Sequence, residues 1–147
     1  DDEPENRELL TRVVESQYRA TVAENGEDAL ELLAAENFDA VLLDVMMPGI
    51  DGLTVLERLR SDERTRTLPV LLISAMAESH QIVRGLKLGA NDYITKPIDV
   101  NVTLARLKTH ITLKHLLDER EKALIKLQDA HEIRNRDPIA SRCQRRR

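Results

Sequence analysis

Aromatic residues are almost missing from this chain, which holds one Phe, two Tyr and no Trp. Proteins that stack single-stranded nucleic acid need such rings, so that class of binding is poorly supported. A core must instead be built from Leu, Val, Ile and Ala. Cysteine is nearly absent too. Cys143 alone cannot form an internal disulfide and reads as an incidental thiol near a polar terminus. No apolar run approaches the ~20 residues of a membrane span, and no signal-peptide pattern is present. A cytoplasmic location without a membrane partner is therefore expected. The formal net charge is only −4, but it is unevenly spread. From Arg134 onward there are six Arg and one Asp, while the acids crowd the first two thirds. A basic tail can attract nucleic acid or anionic lipid. A solvated terminus is the favoured reading, because no helix-turn-helix pattern accompanies the arginines; nucleic acid is an unlikely partner.

What the chain does have is an alternation of helical and strand patterns, in a length of 147 residues that suits one domain with an appendage. Pro4 suits a first helical turn, and Leu9, Leu10, Val13 and Val14 follow at helical spacing. Tyr18 to Ala23 alternates loosely and predicts a short strand. Asn25-Gly26 is a turn or cap signal before a second helix ending near Asn37. Phe38 to Leu43 predicts a buried strand closed by Asp44. After the Pro48-Gly49 turn, Gly52 opens a third helix with Leu53, Leu56 and Leu59 on one face, and a polar loop follows from Ser61 to Thr67. Pro69 to Ile73 predicts another strand, ending at Ser74-Ala75. Ile82, Val83 and Leu86 mark a fourth helix stopped by Gly89. Asn91 to Ile94 predicts a last strand, and a long helix starts near Asp99. Such alternation implies βαβ units and a parallel sheet with helices on both faces.

Short apolar strands in parallel sheets deliver ligand-binding residues at their carboxyl ends. Asp44, Ser74 and Lys96 all fall there. An ionised, exposed Asp44 could attack phosphorus in line. The incoming group is anionic, so placing it among Asp1, Asp2 and Asp44 demands a cation. Mg²⁺ suits an oxygen donor set of this kind and would clamp the transferring group. Lys96 supplies a compact positive charge, and the Ser74 hydroxyl a hydrogen bond. Phosphoryl transfer needs little beyond such positioning. Singly, each of these residues has an equally good structural explanation, as a cap, a loop hydroxyl or a solvated cation. It is their joint occurrence at strand ends of one α/β alternation that favours the functional reading.

From residue 1 to about residue 114 the sequence resembles a response-regulator receiver domain, the phosphoacceptor module of two-component signalling. The resemblance rests on Asp1-Asp2-Glu3-Pro4, on Leu43-Asp44-Val45-Met46-Met47-Pro48-Gly49-Ile50-Asp51-Gly52, on Ile73-Ser74-Ala75 and on Gly89-Ala90-Asn91-Asp92-Tyr93-Ile94-Thr95-Lys96-Pro97. It implies a CheY-like, flavodoxin-like (βα)₅ doubly wound sheet with strand order 2-1-3-4-5. It implies that Asp44 takes phosphate from a sensor histidine kinase. Asp2 and Asp44 would ligate Mg²⁺ through carboxylates, Met46 through its backbone carbonyl and Asp1 through water. Ser74 and Tyr93 match the family's switch pair, and the Lys96-Pro97 bond is expected to be cis. The family's first strand has no counterpart in this sequence. The natural protein is therefore expected to continue upstream with an apolar strand, and a chain starting at Asp1 to fold poorly.

The last helix carries two apolar faces in succession. Val100, Leu104, Leu107 and Ile111 should dock on the sheet. A second seam follows at spacings of 3 and 4: His110, Leu113, Leu117, Arg120, Leu124, Leu127 and His131. The change of phase predicts a helical or coiled-coil linker over 113–135 that pairs with a second copy. The organisation expected is thus a receiver domain over 1–112, that linker, and a basic tail over 136–147. His131-Glu132-Ile133-Arg134-Asn135 resembles the phosphoacceptor box of histidine kinases, but Arg136 stands where that box has Pro. Residues 137–146 faintly resemble the opening of diguanylate cyclase domains. The expected function is a Mg²⁺-dependent phosphorylation switch rather than an enzyme. The alternatives are the regulatory front of a nucleotide cyclase or hybrid kinase, and a pseudo-receiver that never takes phosphate.

Overall fold

The computed structural model describes residues 4–75 and 79–136, with side chains described over 8–75 and 79–131. The elements in chain order are α1 (Pro4–Glu15), α2 (Gly26–Ala35), β1 (Val41–Asp44), α3 (Gly52–Ser61), β2 (Val70–Ala75), α4 (Ser79–Leu88), β3 (Asp92–Lys96) and α5 (Val100–Arg136). The three strands form one parallel sheet in the order β1-β2-β3. Two compact units divide the chain, Asp1–Thr112 and Leu113–Arg147. No described helix is long and apolar enough to cross a membrane.

Residue types explain the sheet. The central strand β2 reads Val-Leu-Leu-Ile-Ser, and all five are buried. Such a run, apolar on both sides, belongs in a parallel sheet covered on two faces. Side chains alternate across the sheet with period 2. Val70 and Leu72 accordingly join Leu43, Val45, Val55 and Leu56 in one core, against α2 and α3. Leu71 and Ile73 join Ile94, Leu10 and Leu107 in the other, against α1 and α5. Each fully buried Val or Leu contributes roughly 1.5–3 kcal/mol.

Local signals set the helix ends. The Asn25 side chain accepts from the Asp28 amide at 2.8 Å, and Asp51 does the same for Thr54 at 2.8 Å. Both are N-caps that satisfy orphan amides of the first turn. Asp99 caps α5 by accepting from the Val102 amide at 3.0 Å. Gly89 ends α4 at φ +110°, a conformation that L side chains avoid. Arg60 then staples the end of α3 to this corner. It donates to the carbonyls of Gly89 (2.9 Å) and Thr65 (3.1 Å) and to Asn91 Oδ1 (2.9 Å). Burial of the guanidinium pushes its pKa below the ordinary arginine value.

Two expectations need correction. Tyr18 to Ala23 forms no strand; it is turn and irregular backbone after α1. A strand exists only through its ladder of hydrogen bonds, and no described segment lies alongside to supply them. Of the five strands implied by the order 2-1-3-4-5, the described residues therefore hold three, in the arrangement of the last three. The strand expected from Phe38 is also shorter at its start. Phe38 lies on the core beside α2 rather than in the sheet, and β1 begins at Val41, where pairing with Val70 starts.

One close approach ties this frame to the edge of the sheet. A Cβ at Gly52 would meet the carbonyl oxygen of Asp44 at 2.2 Å. Asp51→Ala should cost about 1 kcal/mol through loss of the cap. Gly52→Ala should cost more, because backbone must move at the end of β1. Urea denaturation of the two variants checks the ranking.

Candidate functional site

Strand pairing places the candidate residues at one edge. Asp44, the last residue of β1, lies opposite Ile73, and the ladder continues with the Val45 amide donating to the Ile73 carbonyl at 3.0 Å. Ser74 lies opposite Thr95, and Ala75 opposite Lys96. Asp44, Ser74 and Lys96 are all at carboxyl ends of strands, because a parallel sheet brings like ends together.

The Asp44 carboxylate is not exposed, as the sequence had suggested; the residue is 4% accessible. Two donors cover its two oxygens. Lys96 Nζ donates to Oδ2 at 3.0 Å, and the Met46 amide donates to Oδ1 at 3.0 Å. A buried carboxylate without such partners would be costly, and an ion pair with a further hydrogen bond offsets that cost. Ser74 is almost fully buried, and its hydroxyl donates to the Ala75 carbonyl at 3.3 Å. Its period-2 position puts it on the sheet face that also carries Leu72 and Tyr93, opposite to that of Asp44 and Lys96. The structure thus joins Asp44 directly to Lys96 and Met46, and sets Ser74 and Tyr93 on the other face. The Lys96-Pro97 peptide is cis. Asp1 and Asp2 lie outside the described residues, as do residues 137–147 with Cys143. His131 is exposed on α5.

A second constellation escaped the sequence reading. Asp92, at the start of β3, receives Arg106 and His110 from α5; His110 Nε2 lies 3.1 Å from Asp92 Oδ2. Arg106 also donates to the Tyr93 carbonyl at 3.1 Å, and its guanidinium stands 5.6 Å from the Tyr93 ring centre, within cation–π range. The four-residue spacing of Arg106 and His110 puts them on one helix face. That was the available signal, though nothing in the sequence named Asp92 as their partner. Burial works to raise the Asp92 carboxyl. The Tyr93 amide, His110 and Arg106 together outweigh it, so the net shift is downward.

The donors available to a metal are oxygens throughout: the Asp44 carboxylate and the Met46 carbonyl, with the carboxylates of Asp1 and Asp2 outside the described residues. Hard oxygen donors suit Mg²⁺. Among the described residues no three His, Cys, Asp or Glu side chains cluster as a metal site.

The flavodoxin-like parallel sheet carries an Asp–Lys pair across its carboxyl edge, where open α/β sheets bind their ligands. The chain belongs to the response regulator receiver domain family, whose profile matches residues 1–108. It is 40% identical over 113 residues to "Response regulator PleD" of Caulobacter vibrioides, covering 77% of this chain and 25% of that protein. It is 41% identical over 110 residues to "Uncharacterized transcriptional regulatory protein YkoG" of Bacillus subtilis, covering 71% of this chain and 47% of that one. The chain therefore spans about a quarter to a half of these relatives. Among solved structures, a putative response regulator from Chloroflexus aurantiacus superposes with a TM-score of 0.73 at 34% identity, over 76% of this chain and 93% of that one. The receiver domain of sensor histidine kinase PA1611 from Pseudomonas aeruginosa, described with a magnesium ion in its active site cleft, gives 0.71 at 27%, over 76% and 93%.

Asp92 carries a pH prediction. Its pKa is lowered on folding, so the stability it contributes is present above the unfolded carboxylate value of about 3.9 and is lost as pH falls through the lower folded value. Asp92→Asn should be less stable than wild type at neutral pH, and the gap should close on acidification below about pH 4. Chemical denaturation at stepped pH measures it.

Proposed function

We propose that this receiver domain is a phosphorylation switch in which Asp44 accepts a phosphoryl group from the phosphohistidine of a sensor histidine kinase. The observation that carries this reading is the 3.0 Å contact between Asp44 and Lys96 at the carboxyl edge of the sheet. A nucleophilic carboxylate and a compact cation stand together where an anionic group would arrive. An Asp44 oxygen attacks phosphorus, the phosphorus–nitrogen bond breaks, and the imidazole leaves with the electron pair. Lys96 is then positioned to pass from the carboxylate to a phosphoryl oxygen, keeping a charge-assisted bond throughout. The Ser74 hydroxyl would exchange the Ala75 carbonyl for a second phosphoryl oxygen, and Tyr93 would respond on the same sheet face. Asp44, Asp2, the Met46 carbonyl and, through water, Asp1 would hold Mg²⁺, which when bound neutralises charge among the carboxylates and the transferring group.

The output reading follows from α5. Its stretch beyond Thr112 exposes Leu113, Leu117, Leu124 and Leu127, a seam suited to a second copy, so the switch would act on dimerisation or on an adjoining output domain. The longer relatives support an adjoining domain. A regulatory role in front of a nucleotide cyclase or hybrid kinase is the alternative, and the adjoining protein sequence discriminates it.

In the full-length protein, acetyl phosphate with Mg²⁺ should label wild type stoichiometrically and leave Asp44→Asn unlabelled, by mass spectrometry. Lys96→Ala should label at least about tenfold more slowly, the loss of one charge-assisted contact. Wild type that labels no more than Asp44→Asn would identify a pseudo-receiver.

A further inference from the structure

Beyond residue 112, α5 leaves Leu113, Leu116, Leu117, Leu124, Ile125 and Leu127 open to solvent, and of these Leu113, Leu117, Leu124 and Leu127, at 49, 59, 52 and 68% exposure, fall in one row. Their spacings of 4, 7 and 3 are those of heptad seam positions. One seam position between Leu117 and Leu124 is filled by Arg120, which is exposed, with exposed Glu121 beside it. A charge in the centre of an apolar row weakens pairing, and demands a partner that answers it.

On the reading that this helix pairs with a second copy, we propose that the two copies align parallel and in register, with Arg120 of each held by Glu121 of the other. Counting layers separates the orientations. In a parallel pair each seam position meets its own copy. All four leucines then meet leucine, and the charged layer is confined to Arg120. In an antiparallel pair, a positions face d positions instead. One such register sets Leu113 against Leu124 but Leu117 against Arg120, and sets Leu127 against His110, which Asp92 already holds. Sliding by a heptad sets Leu117 against Leu127 but Leu124 against Arg120. Either antiparallel register keeps only part of the leucine layers and buries arginine on leucine twice.

The charges agree. In a parallel pair a d residue neighbours the e residue of the other helix, which brings Arg120 beside the partner copy's carboxylate at position 121 on both sides of the seam. Neither Arg120 nor Glu121 has an ion pair among the described residues, so both are available. Antiparallel pairing would instead ask Lys114 to answer Glu121, but Lys114 is bound to Asp118 of its own helix at 2.7 Å. A guanidinium–carboxylate pair formed only in one register specifies that register at some cost in stability, as polar seam residues do elsewhere.

The test uses the full-length protein in a Cys143→Ser background, with sedimentation and disulfide trapping as separate readouts. Wild type should sediment as a dimer. Leu124→Cys alone should form a disulfide-linked dimer on mild oxidation. Arg120→Glu or Glu121→Arg should each raise the dimer dissociation constant about tenfold or more, and the double exchange should restore it, with the melting temperature of the receiver unchanged in all three. A monomeric wild type would overturn the pairing itself and give the leucine row to another protein. A dimer in which Leu124→Cys crosslinks only when mixed with Leu113→Cys would overturn the parallel register alone. A dimer indifferent to both charge reversals would overturn the Arg120–Glu121 pairing.

Discussion

A single buried ion pair, Lys96 to Asp44, is the constraint around which the receiver unit is arranged. The two residues are 52 positions apart in sequence and lie on strands that do not touch each other. They meet because β2 separates β1 from β3 by one strand width on each side, and because all three strands run the same way. An unpartnered carboxylate as deeply buried as Asp44 would be strongly unfavourable. The sheet order, the strand lengths and the Met46 turn therefore all have to deliver their groups together. Gly52 belongs to the same requirement, since a side chain there would collide with the carbonyl of Asp44.

β3 gives that pair a reach beyond the edge. Its last residue holds Asp44, and its first, Asp92, holds Arg106 and His110 on α5. Between them Tyr93 offers its carbonyl and its ring to the same arginine. Lys96 thus belongs to a strand whose other end is clamped to the helix. Ser74 and Tyr93 share the opposite sheet face. These contacts run without a break from the sheet edge through β3 to α5.

Much of this was legible in the sequence for definite reasons. Apolar runs bounded by turn residues announced β1 and β2, because a strand covered on both faces admits few polar residues. Asn25 and Asp99 announced helix starts, since each side chain caps its own neighbours and needs nothing distant. Asp44, Ser74 and Lys96 stood out as polar residues at the ends of the predicted strands. Illegible were features that depend on a neighbour far along the chain. The alternating pattern from Tyr18 to Ala23 is compatible with a strand, yet pattern alone supplies no ladder. Phe38 continued an apolar run but packs beside the sheet. Asp92 looked like any strand-end acid until α5 brought two cations to it.

The sequence by itself determined the types of the eight described elements, the helix starts at Asn25 and Asp99, the turn glycines and the kinds of group available at the sheet edge. These follow from local periodicity and from side chains bonding to backbone a few residues away. Tertiary structure alone decided that Asp44 is covered rather than exposed, and that Lys96 and the Met46 amide share its two oxygens. It also decided that Ser74 and Tyr93 take the opposite face, and that Asp92 binds the helix. The reason is that pairing register and burial are properties of two or more strands at once. No stretch of one strand contains the distance from its own carboxylate to an ammonium two strands away.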